Sequence, residues 1–418
     1  MKEYKKRLVD HLLIDRLQYM GAVVLEGARA TGKTMTGSHH AKSVARVDLE
    51  LSAQPMLADN PELLLAGAAP RLLDEWQMLP ALWNLVRHEV DRRAAPGQFI
   101  LTGSAIPEDD ATRHSGAGRF SRLRMRPFST SESHPTATPI HLHELLQGIA
   151  RIQGVSTLDL TTLLSRMTSG GWPAVQGRDS GAERWVRSYV EEITRIDVAR
   201  IGVTTKRRDP EKILRVMMSL ARNIGSALRI STIVQDAAGP EGALAHETVT
   251  GYLEALRRVF ILEELPAWKP HLRSSTELRT TPKFYFVDPS IGPATLRLSA
   301  ARMSNDLEYV GQVFENLVVR DLLVYAEACG AKMSYYRDNS GLEVDVIIEG
   351  DDAAWIAIEI KLGQRNLDAA AMSLIRFSEK IDTRKSGQPK ALIIITGGGY
   401  AFTRSDGVHV VPIDLLTV

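Results

Sequence analysis

Gly27-Ala28-Arg29-Ala30-Thr31-Gly32-Lys33-Thr34 satisfies G-x-x-x-x-G-K-[ST] at every fixed position, and it stands directly after a short apolar run, Ala22 to Leu25. Strand, glycine-rich turn and helix are the context that the motif's chemistry requires. Glycines let the backbone curl so that successive N–H groups and the N-terminus of the next helix point at phosphate oxygens. Lys33 would then reach the β- and γ-phosphates and the Thr34 hydroxyl would ligate Mg2+, with Met35 closing the set of loop residues expected around a nucleotide.

Outward from the loop, apolar runs and helical periodicity alternate. Val9, Leu12, Leu13 and Leu17 recur at helical spacing before the first strand. Strand-length runs follow at Val44–Leu49, Arg71–Leu73 and Phe99–Thr102, with helical stretches around Pro61–Ala66 and Leu79–Val90 between them. The alternation predicts a mainly parallel sheet flanked by helices. The run Arg71-Leu72-Leu73 ends in Asp74-Glu75, the arrangement called Walker B: Asp74 would hold the metal through its water shell and Glu75 would polarise the attacking water. Phe99 to Leu101 ends in Thr102-Gly103-Ser104, where Thr102 or Ser104 is placed to sense a γ-phosphate. An ordinary turn is the plain alternative. Arg119 opens a basic run with Arg122, Arg124 and Arg126; one of these would act as an arginine finger toward a neighbouring copy, or the run is a solvated basic face.

Composition bounds the rest. The 418 residues are 44% apolar and 24% charged, which suits several globular units. Lys plus Arg total 51 against 50 for Asp plus Glu, so the whole surface offers no global attraction for nucleic acid or anionic membrane. One cysteine, Cys329, excludes an intramolecular disulfide and a Cys-based zinc site. The opening MKEYKKRLVDHLLIDRL is broken by Asp10, His11 and Asp15 and lacks the apolar core of a signal peptide; with no membrane-length apolar run, a cytoplasmic protein without a membrane partner is expected.

Four strings in order, Asp74-Glu75-Trp76-Gln77 with Pro80, Pro96 to Ser104, Pro127-Phe128-Ser129 with Glu132, and Gly170-Gly171-Trp172-Pro173, resemble a large family of bacterial and archaeal AAA-type ATPases. Its members join an N-terminal ATPase core to a C-terminal region of unknown function. The resemblance implies an ATP-binding P-loop core over residues 1–135. Residues 129–139, STSESHPTATP, read as a loop or boundary. An all-α lid is expected over 136–205, where Trp185, Val186, Tyr189, Val190 and Ile193 line one helix face, and a winged-helix-like unit over 206–300, where helices precede an apolar ribbon. Between Arg229 and Lys269 that unit has six acidic and four basic residues, without the clustered Lys and Arg of a DNA-reading helix. One departure from the family pattern is the segment after the loop, where Gly37 and Ser38 weaken the expected helix.

The C-terminal unit, residues 301–418, returns to α/β character. Glu343 to Ile348 and Trp355 to Lys361 read as strands, and residues two apart in a strand share a face, which puts Glu359 beside Lys361. If the strands are neighbours, Asp345 converges on the pair, and two carboxylates with a lysine suffice for metal-assisted phosphodiester hydrolysis. The set resembles the PD-(D/E)xK nuclease superfamily, with Glu315 matching the extra acidic residue on the preceding helix; the resemblance implies a restriction-endonuclease-like fold, a second Mg2+ or Mn2+ held by Glu315, Asp345 and Glu359, and DNA as partner. The alternative keeps the fold as a docking or DNA-holding module with Asp345 and Glu359 solvated or paired to Lys361 and Arg337. Two functions follow: an ATPase whose nucleotide state controls a nuclease-like domain, or a nucleotide-gated regulator that binds a protein or DNA without cutting it.

Overall fold

The computed structural model describes residues 3–53, 59–106, 115–178, 180–199, 208–240, 242–269 and 281–418. Strands β1 (Ala22–Glu26), β2 (Ser43–Arg46), β3 (Arg71–Asp74), β4 (Phe99–Gly103) and β5 (Phe120–Arg124) form a parallel sheet in the order β2-β3-β4-β1-β5. Alternation along β1 feeds two cores. Ala22 and Val24 pack with Trp83, Val86 and Val90 of the helix Leu82–Arg93, while Val23 and Leu25 pack with Val9 and Leu13 of the helix Leu8–Leu17. The expected strand at Val44–Leu49 is shorter than its apolar run: it ends at Arg46, and Val47 begins the helix Val47–Ala53, whose first turn carries Asp48 and Glu50 where a helix N-terminus favours acids. The helix after the loop, Lys33–His40, runs unbroken through Gly37, where a Cβ would lie 2.9 Å from Leu72. That glycine lets the helix approach β3.

Residues 129–139 are not simply a boundary. Ser129 accepts from Glu132 N–H and the Glu132 carboxylate accepts from Ser129 N–H, a reciprocal cap on the turn Thr130–Ser133 whose members are largely buried. The strands β6 (Ile140–His141) and β7 (Gly154–Val155) then break the expected all-α lid at its start. Helices follow at Leu160–Ser169, Ala182–Glu192, Pro210–Arg222, Ile230–Asp236 and His246–Arg258, with Arg200, the end of the expected helical stretch, outside the described residues. A two-stranded antiparallel ribbon, β8 (Leu262–Leu265) with β9 (Lys283–Phe286), closes this region.

The C-terminal part holds β10 (Lys332–Arg337), β11 (Glu343–Glu349), β12 (Trp355–Lys361), β13 (Ala391–Thr396), β14 (Tyr400–Thr403) and β15 (His409–Pro412), followed by the short β16 (Leu416–Thr417). Their sheet runs β10-β11-β12-β13-β15-β14-β7, and β16 pairs with β6, so residues 140–155 belong with C-terminal strands rather than with a lid. One face, with Ile356, Ile358 and Ile360, packs on the long helix Leu307–Ala328; the other, with Trp355 and Ala357, packs on Leu374 and Phe377 of the helix Leu367–Lys380. Among the described residues no helix is long and apolar enough to cross a membrane.

Candidate functional site

The loop after β1 is pinned from several directions. A Cβ on Gly27 would lie 2.1 Å from the Met125 carbonyl, and Gly32 takes φ 98°, a conformation that costs glycine little. Ala28 is buried, Thr31 Oγ1 donates to its carbonyl at 3.0 Å, and Tyr189 of the helix Ala182–Glu192 donates to the Arg29 carbonyl at 3.1 Å. Ala30 takes φ 62°, and Met35 is exposed one turn into the helix. Arg7, which the motifs do not mark, donates to the Thr31 carbonyl at 3.0 Å, to Glu132 at 2.9 Å and to the Arg126 carbonyl at 2.8 Å, with its guanidinium over the Phe128 ring. The Phe128-Ser129 and Glu132 string therefore serves as the seat of an arginine that braces the loop.

Lys33 is 5% exposed and donates to the Ala28 carbonyl at 2.7 Å. Burial pushes its ammonium down to about 8, against the pull of Glu75 and Asp74. Thr34 Oγ1 donates to Asp74 Oδ1 at 2.8 Å, and Thr102 Oγ1 donates to the same oxygen. A hydroxyl and a carboxylate side by side are the hard oxygen donors that Mg2+ prefers. Glu75 sits at φ 55°, ψ 44°, a left-handed conformation held for a non-glycine residue by its surroundings: its N–H donates to Thr102 Oγ1 at 3.1 Å, and its Oε2 accepts from Ser104 Oγ at 3.0 Å and from Gln77. Ser104, expected to sense phosphate, positions the carboxylate that would polarise water.

Arg119 lies elsewhere. Its carbonyl accepts from Ala22 N–H at the start of β1, the opposite end of the strand from the loop, and its guanidinium pairs with Asp91 at 2.9 Å. It does not meet the loop of its own chain. Arg124 and Arg126, at and just past the other end of β5, pair with Glu263 of β8 at 3.3 and 3.2 Å, and Arg126 pairs with Glu327 of the long helix at 3.0 Å. Beside the Lys33–His40 helix lies a cavity of about 420 Å³ bordered by Tyr4, Arg7, Met35, Phe128 and Pro173.

The C-terminal residues do converge. Asp345 Oδ2 accepts from Ile360 N–H at 2.9 Å, and Lys361 donates to Glu359 Oε1 at 2.7 Å. Glu315 accepts from Tyr285 OH at 2.6 Å. Burial and Asp345 push Glu315 up to about 7 and Glu359 up to about 8, opposed by Lys283 and Lys361 respectively, and Glu359 Oε2 is buried with no partner among the described residues. What the sequence reading did not place here is Lys283 of β9. Its ammonium is 2.7 Å from Glu343, 3.5 Å from Asp345 and 3.5 Å from Glu315. Mg2+ draws oxygens to about 2.0–2.1 Å. A protonated amine among the same oxygens leaves no such space, and among the described residues no group of three or more His, Cys, Asp or Glu side chains is arranged to hold a metal ion. As they stand, Glu315 and Asp345, each with the Lys283 ammonium at 3.5 Å, do not fit a divalent ion, and Glu359 is paired with Lys361 instead. The sequence signal was a lone lysine opening the apolar run Lys283-Phe284-Tyr285-Phe286.

The Gly170-Gly171-Trp172 string has a structural purpose. Gly171 N–H donates to Asp288 at 2.9 Å, Trp172 Nε1 donates to Ser290 at 3.0 Å, and a Cβ on Gly171 would lie 2.1 Å from the Phe128 carbonyl. Arg320 of the long helix donates to the same Asp288 at 2.9 Å and to Asp321 at 2.8 Å, and Asp321 accepts from Thr130 N–H at 3.1 Å. This buried polar knot ties the segment after β5, the helical region and the C-terminal part together.

Known proteins divide the chain in similar places. Residues 20–134 match the model of the AAA domain, 160–302 that of a domain of unknown function, DUF8612, and 310–416 that of another, DUF4143. Uncharacterized proteins of Mycobacterium bovis and Mycobacterium tuberculosis are each 25% identical over 400 residues, 94% of this chain and 80% of theirs. Among solved structures, a Walker-type ATPase of Pyrococcus abyssi overlays with a TM-score of 0.42 at 12% identity over 69% of this chain and 94% of its own. AMPPCP-bound DnaA from Aquifex aeolicus overlays at 0.29 and 12% identity over 62% and 89%. By the family models, the chain joins an AAA domain over residues 20–134 to two domains of unknown function.

Proposed function

We propose that the chain binds and hydrolyses ATP in the cytoplasm and passes its nucleotide state to the C-terminal α/β domain. The observation that carries this reading is the meeting of Lys33, Thr34, Asp74 and Glu75 at the ends of β1 and β3, with Glu75 held by Ser104. Thr34 and Asp74 are the residues that would hold Mg2+, which supplies neutralising charge to the phosphates when bound. Lys33, whose ammonium rests on the Ala28 carbonyl and has no carboxylate within bonding distance among the described residues, would turn to phosphate oxygens. Glu75 orients and accepts a proton from the attacking water. The cavity beside Met35 and Tyr4 would take the base. Arg124 and Arg126, bonded to Glu263 and Glu327, link this end of the sheet to the ribbon and to the long helix.

The second reading, a regulator that binds DNA or a protein without cutting, is favoured by Lys283 within the carboxylate cluster. Of the four basic residues in the winged-helix-like stretch, Arg257 pairs with Glu264 and Arg258 donates to the Ile106 carbonyl at 2.9 Å, so two are spent within the protein. Phosphate release from ATP tests the ATPase reading. Lys33→Ala should abolish hydrolysis and weaken ATP binding, whereas Glu75→Gln should keep binding and lose turnover by about 100-fold or more. Full hydrolysis in Lys33→Ala would place the reaction in a contaminant or at another site.

A further inference from the structure

We propose that Lys283 is a built-in cation that fills the C-terminal carboxylate cluster and keeps a divalent metal ion out of it. Lys283 is 3% exposed, and its ammonium is shared among Glu343, Asp345 and Glu315. Three acidic residues from a helix and one strand thereby share one counter-charge from a side chain of a different strand. The lysine is not a swinging surface group. Its backbone is fixed in the ribbon, where Lys283 stands opposite Leu265 and Tyr285 opposite Glu263, and Tyr285 holds Glu315 by its hydroxyl.

A divalent ion needs several oxygens drawn in to about 2.0–2.6 Å and repels a neighbouring ammonium. It can enter this cluster only if Lys283 leaves. The second lysine is also committed, to Glu359 at 2.7 Å, and Arg337 lies 3.4 Å from Glu343. Glu343 and Glu359 nevertheless border a cavity of about 590 Å³ with Ser340, Ser373, Arg376 and Lys380, so solvent ions can reach the cluster's rim. Exclusion therefore comes from the resident lysine and not from lack of access. The ribbon that carries Lys283 also carries Glu263, the partner of Arg124 and Arg126 at the nucleotide end.

The test is Mn2+ binding to the full chain without nucleotide, followed by water-proton relaxation. It is thus independent of whether the protein hydrolyses ATP. Wild type and Asp345→Asn should bind Mn2+ alike. Lys283→Met should gain a site at least about tenfold tighter, which Lys283→Met/Asp345→Asn loses, because affinity follows the number of uncompensated carboxylates. Wild-type binding that Asp345→Asn weakens by about tenfold overturns the proposal, and so does a folded Lys283→Met that gains nothing. If Lys283→Met does not fold, the comparison of wild type with Asp345→Asn decides alone.

Discussion

Two buried lysines occupy opposite electrostatic situations in this molecule. Lys33 has a backbone carbonyl as its near partner and is pushed down to about 8 by burial, with Glu75 and Asp74 opposing only in part. Burial would lower Lys283 as well, but Glu315, Asp345 and Glu343 together outweigh it and hold the ammonium well above its ordinary range. On the proposed reading, the first lysine takes its anion from outside. The second has its anions built in. A motif match finds the first kind because its function is written in adjacent residues; the second is visible only when strands are brought together.

The largest effect on stability should come from the satisfied lysine. Lys283→Ala removes the cation that Glu315, Asp345 and Glu343 share and should cost about 3–5 kcal/mol, read from urea unfolding at neutral pH, because breaking one side of a buried pair strands the other. Lys33→Ala, in contrast, should be nearly neutral in the same titration while losing hydrolysis. Equal losses in the two variants would erase the distinction between them.

A smaller effect sharpens it through pH. Glu359 is raised from 4.5 to about 8 by burial and Asp345, so the folded chain holds a proton that the unfolded chain has released between those values. Its contribution is fully present below pH 4.5 and is lost as pH rises through 8. Glu359→Gln lacks that proton linkage. Its unfolding free energy relative to wild type should therefore rise between pH 5 and pH 8, by up to about 1.4 kcal/mol per pH unit. A difference that stays flat would mean that Glu359 is ionised throughout. Smallest of all, Arg119→Ala should leave ATP hydrolysis within about twofold, as an exposed ion pair at the far end of the strands contributes little. A larger loss would bring a neighbouring copy's nucleotide to this arginine and argue for a homo-oligomer.

The P-loop core was legible because each signal is local. Gly27 to Thr34 follows its strand by one residue, and Asp74-Glu75 ends an apolar run, so fold and site share one stretch of chain. In the carboxylate cluster, Asp345, Glu359 and Lys361 could be placed from strand alternation, but Lys283 arrives from the ribbon with no periodic relation to them. Arg7 was hidden for the same reason: it is one of several basic residues near the N-terminus, singled out only by Glu132 and the Thr31 carbonyl. The run Val44–Leu49 reads as one strand but divides at Arg46, because an apolar run of that length suits either a strand or the first turn of a helix.

The pairing of β16 with β6 also sets an order for folding. His141 Nδ1 and the Val418 carbonyl form a contact across 277 positions, so residues 140–155 emerge from the ribosome long before their strand partners exist. Contacts of such sequence separation form slowly. Until β14 and β16 arrive, the two short strands have open edges, which are the parts of a nascent chain most prone to pairing with another molecule. A fragment cut at residue 301 would inherit the same problem in reverse, with the edge of β14 left uncovered by β7.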